Sequence, residues 1–300
     1  MLQLVVGAGD VGQMLTSDPR LAGVAFTGST QTAQAINRSL AMRDGPIATF
    51  IAETGGQNAM IVDSSALPEQ VTRDVVASAF QSAGQRCSAL RVVYIQDDVF
   101  DPMVKMIRGA FETLVSGDPA DFATDVGPVI DRDAQSALER HVARCETKGF
   151  DVWRRTLPSG IEHGCFVAPT IITIDSIRDL KRENFGPVLH VARFKAGTLD
   201  QVIDDINATG FGLTLGLHSR IDAVRERVEA RARVGNLYVN RNQIGAVVES
   251  QPFGGEGLSG TGPKAGGPHY VARFATERVV CIDTTAAGGN TTLLAGGQPD

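Results

Sequence analysis

Cys87 is the residue of this sequence most suited by its surroundings to covalent chemistry. It lies in the stretch SAGQRCSALR, between a glycine that ends a predicted helix and the first residues of a predicted strand. A cysteine is a nucleophile only as its thiolate, and an adjacent guanidinium such as Arg86, with nearby backbone N–H groups, favours that form. Free cysteines are also common packing residues, so Cys87 taken alone leaves packing and catalysis equally open.

Glu53 is the candidate base for such a nucleophile. It stands 34 residues before Cys87, in FIAETGG, at the end of an apolar strand and before two glycines that allow a ligand to come close. An apolar surrounding raises the pKa of a carboxyl group toward neutral pH, which suits a general base. The alternative is an exposed strand-end glutamate that caps the next turn, and the pairing with Cys87 favours catalysis.

Two further turns carry residues suited to a phosphorylated ligand. In AFTGST a strand ends and a helix begins, so unpaired N–H groups at the helix N-terminus can hold a phosphate. Ser29 is there either a helix cap alone or a cap that also contacts the phosphate. In RENFGPVL, Glu183 can bind ribose hydroxyls and Phe185 can cover a nicotinamide, but packing and solvation also explain both residues.

The glycine motif GAGDVG at residues 7–12 has the spacing of a dinucleotide-binding turn but lacks its context. The residues TSDP that follow predict a helix that stops after little more than one turn. Residues 19–43 contain no acidic side chain to bind ribose hydroxyls. This context makes a dinucleotide-binding turn at residues 7–12 the weaker interpretation of the motif.

The composition is that of a globular chain and excludes several classes of protein. The 300 residues are 43% hydrophobic and 21% charged, which suits a large core and more than one lobe. A net charge of -6 without a dense run of Lys or Arg argues against nucleic acid or an anionic membrane as a partner. The sequence shows neither an apolar run of membrane-spanning length nor a signal-like N-terminus, so we expect a cytoplasmic protein. Because its four cysteines and five histidines are scattered, we predict neither disulfides nor a metal site.

Apolar runs of strand length alternate with amphipathic segments, which predicts an α/β fold with an open, largely parallel sheet. Helices are predicted in STQTAQAINRSLAMRD, EQVTRDVVASAFQSAGQ, DPMVKMIRGAFETLV, DRDAQSALERHVARCETKG, LDQVIDDINATG and AVRERVEARA. Strands are predicted in GVAFTGS, TFIAETGG, RVVYIQ, CFVAPTIITI, GPVLHVARF, LTLGLHS and VGNLYVN. The Gly- and Pro-rich sequence from Gly245 is predicted as a loop, followed by a last strand in VARFATERVVCIDT and a loose tail.

Four of these stretches, in this order, resemble the motifs of the aldehyde dehydrogenase superfamily. They are FTGS at residues 26–29, ETGG at 53–56, GQRC at 84–87 and ENFGP at 183–187. Longer stretches, among them SAFQSAGQRCSALR and QPFGGEGLSGTGPKAGGPHYVARF, are similar to the L-glutamate γ-semialdehyde dehydrogenase part of the bifunctional proline utilisation A family. This narrower resemblance runs from about residue 1 to about residue 293.

The resemblance implies an NAD-dependent oxidation of L-glutamate γ-semialdehyde to L-glutamate. In this interpretation Cys87 adds to the aldehyde to form a thiohemiacetal, and Glu53 activates the water that cleaves the resulting thioester. The resemblance also implies two sets of binding residues. The cofactor residues would be Gly28, Ser29, Thr54, Gly55, Glu183 and Phe185, and the substrate residues Arg86, Ser88, Gly245, Ala246 and Phe253.

The resemblance further implies four regions along the chain. They are the C-terminal part of an NAD-binding lobe at residues 1–52, a catalytic lobe at 53–269, an oligomerisation strand at 270–284 and a tail at 285–300. Members of the family carry a longer segment before the position of Met1, with most of the nucleotide-binding lobe. We therefore expect an N-terminally incomplete chain that associates with the missing part or forms a homo-oligomer.

Two other hypotheses stay open. Cys87 and Glu53 alone also suit a cofactor-independent thiol hydrolase or acyltransferase, in which the turns at residues 26–29 and 183–187 would have no purpose. The chain also suits a catalytically inactive assembly module that acts through its last strand.

Overall fold

The computed structural model describes residues 2–283, which form an α/β fold. The α-helices of this range are α1 (Gly9–Ser17), α2 (Thr30–Ala41), α3 (Pro68–Phe80), α4 (Phe100–Glu112), α5 (Arg132–Thr147), α6 (Leu199–Asn207) and α7 (Asp222–Arg231). Its strands are β1 (Gly23–Thr27), β2 (Thr49–Glu53), β3 (Ala59–Val62), β4 (Val92–Gln96), β5 (Val152–Arg154), β6 (Thr170–Ile174), β7 (Val188–Phe194), β8 (Phe211–Gly212), β9 (Thr214–His218), β10 (Asn236–Val239) and β11 (Glu256–Gly257). Among the described residues, no helix has the length and apolar character needed to cross a membrane.

The larger sheet has the strand order β10-β9-β3-β4-β7-β6-β5. Every neighbouring pair is parallel except the edge pair of β5 and β6, which is antiparallel. The prediction of an open, largely parallel sheet is therefore confirmed. β3 is absent from the predicted strands because a run of four apolar residues carries no periodic signal, yet it pairs with both β4 and β9.

Two apolar cores cover the two faces of the larger sheet. One contains side chains of α5, α6 and α7, and the other contains side chains of α3 and α4. Because both faces are buried, the central strands are apolar along most of their length instead of alternating, and all four residues of β3 are buried. Functional polar side chains must therefore lie at the strand ends.

A second, two-stranded parallel sheet is formed by β1 and β2, in a register that places Thr27 beside Glu53. The N–H of Gly28 donates to the carbonyl of Glu53 at 3.1 Å. On its other side β2 contacts the Gly- and Pro-rich sequence that begins at Gly245. There the N–H of Thr261 donates to the carbonyl of Ala52 at 2.9 Å. The chain passes from the small sheet to the larger one after Glu53, and the division into regions at this point stays a prediction.

The glycine motif at residues 7–12 does not form a strand, turn and helix. Residues 2–8 are irregular, and α1 begins inside the motif at Gly9. The predicted stop is confirmed because α1 ends at Ser17, but the helix has nine residues, about two and a half turns, instead of the little more than one turn expected. Asp10 in its first turn complements the positive end of the helix dipole and favours the longer helix.

In the single chain the residues predicted to form a last strand are not in a strand, and their pairing with a second subunit stays a prediction. Val271–Phe274 form a short 3₁₀ helix, and residues 275–283 are irregular. A strand needs a hydrogen-bonded neighbour, and none of the described strands pairs with this segment. Its apolar side chains Val279, Val280 and Ile282 stay exposed. Residue 284 and the predicted tail at 285–300 lie outside the described residues.

A buried pair of histidines joins α5 to β7. The Nε2 atoms of His141 and His190 are 2.8 Å apart, and Nδ1 of His190 lies 2.8 Å from the carbonyl oxygen of Arg91. Because a carbonyl only accepts, Nδ1 of His190 carries the hydrogen, and Nε2–H of His141 donates to the bare Nε2 of His190. Both rings are neutral in this arrangement, and burial lowers the pKa of His141 to about 4 and that of His190 to about 3.

The histidine pair predicts a loss of stability in mild acid. Both pKa values are near 6.5 in an unfolded chain but well below that in the folded protein. The unfolded state therefore binds more protons below pH 6.5, and the free energy of unfolding falls as the pH drops. We expect a loss of about 3 kcal/mol between pH 6.5 and pH 5.0, measured by urea unfolding.

Substitution of one histidine isolates this effect from that of other titrating groups. His141→Gln should lose less stability than the wild type between pH 6.5 and pH 5.0, because one of the two protonation sites is gone. His163→Gln, at an exposed position, is the matched control and should show the full wild-type loss. An unchanged loss in His141→Gln would contradict the assignment.

Candidate active site

One open cleft of about 1500 Å³ brings the predicted site residues together. All thirteen of them line it, although they come from segments as far apart as residues 28 and 253. They are Cys87, Glu53, Gly28, Ser29, Thr54, Gly55, Glu183, Phe185, Arg86, Ser88, Gly245, Ala246 and Phe253. Their roles stay predictions, but they share one site.

The cleft lies where two sheets meet end to end. β1 and β2 end at it, at Thr27 and Glu53, whereas β4 and β7 begin shortly after residues that line it. Ligands of open α/β sheets usually bind at the carboxyl ends of the strands. The small sheet follows that rule here, whereas the larger sheet presents the amino ends of its strands.

The loop of residues 84–89, called here the nucleophile loop, follows a left-handed turn. Ser82, Ala83 and Gly84 have φ angles of 54°, 52° and 64°. This conformation costs about 1–2 kcal/mol for a residue with a Cβ. At Gly84 a Cβ would lie 2.2 Å from the carbonyl oxygen of Gly186, so only glycine fits there. The turn reverses the chain after α3 and brings Cys87 to the cleft.

The side chain of Asn58 donates hydrogen bonds to carbonyl groups of the nucleophile loop. Its side-chain amide donates to the carbonyl of Cys87 at 2.6 Å and to that of Ala89 at 2.9 Å. Its own side-chain oxygen accepts the N–H of Thr214 at 3.2 Å. Because Asn58 is buried directly before β3, it fixes the nucleophile loop to the centre of the larger sheet.

The environment of Cys87 favours the neutral thiol. Burial raises its pKa, and the carboxylates of Glu183 and Glu53 raise it further, whereas the N–H groups of Ser88 and of Cys87 itself lower it. The expected activation of the thiol by Arg86 stays a prediction, because the structure gives the Arg86 guanidinium another partner. The guanidinium is exposed and donates from Nε to a serine hydroxyl of the preceding turn at 3.0 Å.

Glu53 has the environment predicted for a base near neutral pH. Burial raises its pKa to about 7, although the N–H of Gly255 and the charge of Lys264 both lower it. The Gly255 N–H donates to Oε2 at 2.9 Å, whereas Oε1 is buried and has no partner among residues 2–283. The residue nevertheless lines the cleft, which places its carboxyl group at the candidate site.

The turn between β1 and α2 forms the other end of the cleft. Ser29 is the N-cap of α2, because its hydroxyl accepts the N–H of Thr32, and its contact with a phosphate stays a prediction. The hydroxyls of Thr54 and Thr30 donate to the carbonyl of Leu258 at 2.6 Å and 3.2 Å. These two bonds tie the end of the small sheet to the glycine-rich segment that follows β10.

Glu183 lines the cleft and forms an ion pair with the buried side chain of Arg91. Its Oε1 lies 3.0 Å from Nη2 of Arg91, whose side chain is 1% exposed. Its Oε2 lies so close to Gly55 that a Cβ there would approach it to 1.8 Å. Burial raises the pKa of Glu183, while the charge of Arg91 lowers it. Phe185 keeps 43% of its surface exposed, with its ring centroid 5.1 Å from Cζ of Arg91.

Gly245 and Ala246 are exposed, and Arg241 bonds residues on both sides of them in the chain. Its guanidinium donates to the side chain of Gln251 at 2.7 Å and to the carbonyl of Ile244 at 3.2 Å. Within the described part of the chain, the N–H groups of Gly245 and Ala246 have no hydrogen-bond acceptor. Free N–H groups on a fixed loop suit an anionic ligand.

Three polar residues that shape the site are absent from the predictions. Asn58 and Arg91 hold the nucleophile loop, and Lys264 lies near Glu53. The local signal for Asn58 and Arg91 is a polar residue directly before a buried strand. That signal does not identify their partners, since Arg91 bonds a residue 92 positions away.

The chain is similar to known proteins along most of its length. A model of the aldehyde dehydrogenase family matches residues 1–280. The bifunctional protein PutA of Klebsiella aerogenes is 53% identical over 287 residues, which cover 93% of this chain and 22% of that protein. A crystal structure of bifunctional proline utilization A (PutA) matches with a TM-score of 0.89 at 57% identity, over 94% of this chain and 28% of the other.

A second group of similar structures is smaller than PutA. The 1-pyrroline-5-carboxylate dehydrogenase from Thermus with bound NAD matches with a TM-score of 0.81 at 33% identity, over 89% of this chain and 52% of the other. This chain therefore spans about a fifth to about a half of the length of these relatives.

Glu53 is expected to titrate near neutral pH in the intact protein. Its pKa of about 7 should be visible as the loss of a protonated carboxyl band in infrared difference spectra, with Glu53→Gln as the blank. Lys264→Met should move the midpoint upward, because a positive charge that favours the carboxylate is removed.

Lys195→Met is the matched control for this titration. Lys195 is exposed directly after β7, outside the cleft, and its substitution should keep the wild-type midpoint. A midpoint near the ordinary value of 4.5, or one that Lys264→Met leaves unchanged, would show that burial and Lys264 do not set this pKa.

Proposed function

This chain belongs to the aldehyde dehydrogenase family, and we propose that its cleft oxidises L-glutamate γ-semialdehyde to L-glutamate with NAD. The observation that carries the proposal is a half-buried cysteine and a glutamate with a pKa of about 7 in one cleft. The names of the relatives PutA and 1-pyrroline-5-carboxylate dehydrogenase support the substrate. 1-Pyrroline-5-carboxylate is the cyclic imine that this aldehyde forms by losing water.

Cys87 is the nucleophile in this proposal. Its thiolate sulfur adds to the aldehyde carbon, which forms a C–S bond and an alkoxide oxygen. The N–H groups of Cys87 and Ser88 stabilise the thiolate, and Asn58 keeps the loop that carries them in place. Because burial opposes ionisation of the thiol, these donors are needed before the attack.

Glu53 is the base that completes the reaction. Once the bound substrate is a thioester on Cys87, Glu53, which lines the same cleft, takes a proton from water as the water oxygen attacks the acyl carbon. The C–S bond then breaks, which releases L-glutamate and restores the Cys87 thiolate. A pKa of about 7 lets Glu53 accept this proton and afterwards return it to solvent.

The other end of the cleft fits a dinucleotide. α2 presents the N-terminus of a twelve-residue helix capped by Ser29, which suits a pyrophosphate. Glu183 offers a carboxylate to ribose hydroxyls, and the exposed ring of Phe185 offers a face to a nicotinamide. Gly28, Thr54 and Gly55 line the same end of the cleft, and we assign them to the cofactor as well. When bound, NAD supplies the hydride acceptor that turns the thiohemiacetal into the thioester.

The segment near Gly245 is proposed to bind the amino acid end of the substrate. The free N–H groups of Gly245 and Ala246 suit the α-carboxylate, and Arg86 adds a positive charge at the same cleft. Ser88 offers a hydroxyl beside the nucleophile, and Phe253 packs on the aliphatic stem.

We further propose that the protein acts in the cytoplasm as a homo-oligomer. The exposed apolar side chains Val279, Val280 and Ile282 support pairing of residues 270–283 with a second subunit. Deletion of residues 270–300 should convert the oligomer to a monomer, measured by light scattering after size exclusion. An unchanged mass would contradict this proposal.

NADH formation from L-glutamate γ-semialdehyde tests the activity. Cys87→Ala should abolish it, whereas Cys165→Ala, at a half-buried cysteine outside the cleft, should keep it. Glu53→Gln should slow turnover by about 10²- to 10⁴-fold and accumulate an acyl-enzyme that is visible by intact mass. Wild-type hydrolysis of the thioester should rise with pH around a midpoint of about 7, since only ionised Glu53 accepts the proton.

The outcomes separate the three hypotheses for this chain. NADH formation that persists in Cys87→Ala would overturn the mechanism. Ester hydrolysis without NAD that is lost in Cys87→Ala, together with no NADH formation, would favour a thiol hydrolase. Absence of both activities in a folded protein would favour the assembly module.

A further inference from the structure

Arg91 is a buried arginine whose contacts the proposed reaction leaves unexplained. Nη1 donates to the carbonyl of Gly84 at 2.7 Å and to that of Gly186 at 3.3 Å. Nη2 donates to the carbonyl of Arg86 at 3.1 Å and to Oε1 of Glu183 at 3.0 Å. One guanidinium therefore bonds both the nucleophile loop and the segment of residues 183–187.

The shape of the guanidinium matters for these contacts. Its two terminal nitrogens present donors in a fixed plane, whereas a lysine ammonium has three donors on one atom and no fork. Nε of Arg91 has no partner among residues 2–283, so the four contacts of the terminal nitrogens set the orientation. The two segments of the cleft are thus held at a fixed distance from each other.

The same ion pair sets the charge near the sulfur of Cys87. Burial raises the pKa of Cys87, and the negative charge of Glu183 raises it further. Burial lowers the pKa of Arg91, whereas the charges of Glu183 and Cys87 raise it, so the guanidinium and the thiolate attract each other. Charges in such a site are weakly screened, so loss of either partner leaves the other to act on the sulfur.

We propose that Arg91 is a positioning residue that fixes the nucleophile loop to the Glu183 segment and cancels the Glu183 charge next to Cys87. The inference rests on the proposed function only in taking Cys87 as the nucleophile. It requires Arg91 and Glu183 to act on the thiolate in opposite directions. An arginine with a merely structural role changes stability without that opposition.

Other ionisable groups also face the sulfur, and the test must leave them unchanged. Glu53 acts on Cys87 across the cleft, and the hydroxyl of Tyr238, whose pKa is raised by burial, also senses the Cys87 charge. Further charged groups line the cleft, namely Arg86, Arg178, Lys181, Arg182 and Asp205. Lys264 acts on Glu53.

The test is the pH dependence of Cys87 alkylation by iodoacetamide in the full chain, without cofactor or aldehyde. Mass spectrometry of the Cys87 peptide separates it from the other three cysteines. Arg91→Gln should raise the midpoint by about one pH unit, which slows alkylation about tenfold below the midpoint. Glu183→Gln should lower the midpoint by a similar amount, and the double variant should return close to the wild type.

Two arginine variants serve as controls. Arg91→Lys keeps the charge without the planar fork, so it should keep the wild-type midpoint but melt at a lower temperature. Arg193→Gln removes an arginine that pairs with Asp97 and Asp101 outside the cleft, and it should leave the midpoint unchanged.

Midpoint shifts of Arg91→Gln and Glu183→Gln in the same direction would overturn the inference, as would a Glu183→Gln midpoint equal to that of the wild type. If Arg91→Gln does not fold, as judged by circular dichroism, Glu183→Gln and Arg91→Lys still decide the question. The NADH assay is separate from this one. Opposite shifts in a chain that forms no NADH would support the role of Arg91 and contradict the proposed activity.

Discussion

The site depends on how the carbonyl groups of the nucleophile loop find donors inside the protein. This loop lies at the amino ends of strands that are buried on both faces, where an unsatisfied carbonyl costs about 1–3 kcal/mol. Asn58 and Arg91 provide the donors for four of these carbonyls. Since the carbonyl groups bond inward, the N–H groups of Cys87 and Ser88 are left to the sulfur. The reactive geometry is therefore a consequence of buried polar side chains in an otherwise apolar sheet.

Burial favours the uncharged form of both catalytic candidates, Cys87 and Glu53. It raises the pKa of Cys87 and that of Glu53, so both groups are less charged at neutral pH than they would be in water. A cleft with little negative charge near the sulfur suits a substrate that carries a carboxylate. For each group a backbone donor opposes this effect of burial and lowers the pKa, the N–H of Ser88 for the thiol and the N–H of Gly255, followed by the charge of Lys264, for the carboxyl.

The sequence predicts the motifs of this site better than it predicts the buried polar side chains that hold those motifs in place. The turns around Ser29, Glu53, Cys87 and Glu183 are local, because glycines and strand ends mark each of them, and the structure places all four in one cleft. The role of Arg91 depends on a partner 92 residues away, which no local pattern specifies. The apolar composition of residues 270–283 favours a strand, but a strand needs a hydrogen-bonded neighbour, and none of the described strands of this chain pairs with this segment.

The contact between Glu53 and Gly255 also has a consequence for the order in which the chain folds during synthesis. These residues are 202 positions apart, whereas Cys87 and Asn58 are only 29 apart. On the ribosome the loop of the nucleophile can therefore form while the surroundings of the base are still incomplete. A nascent chain that stops before Gly255 carries the cysteine without the N–H group that bonds Glu53, so the pair is complete only after Gly255 has been added.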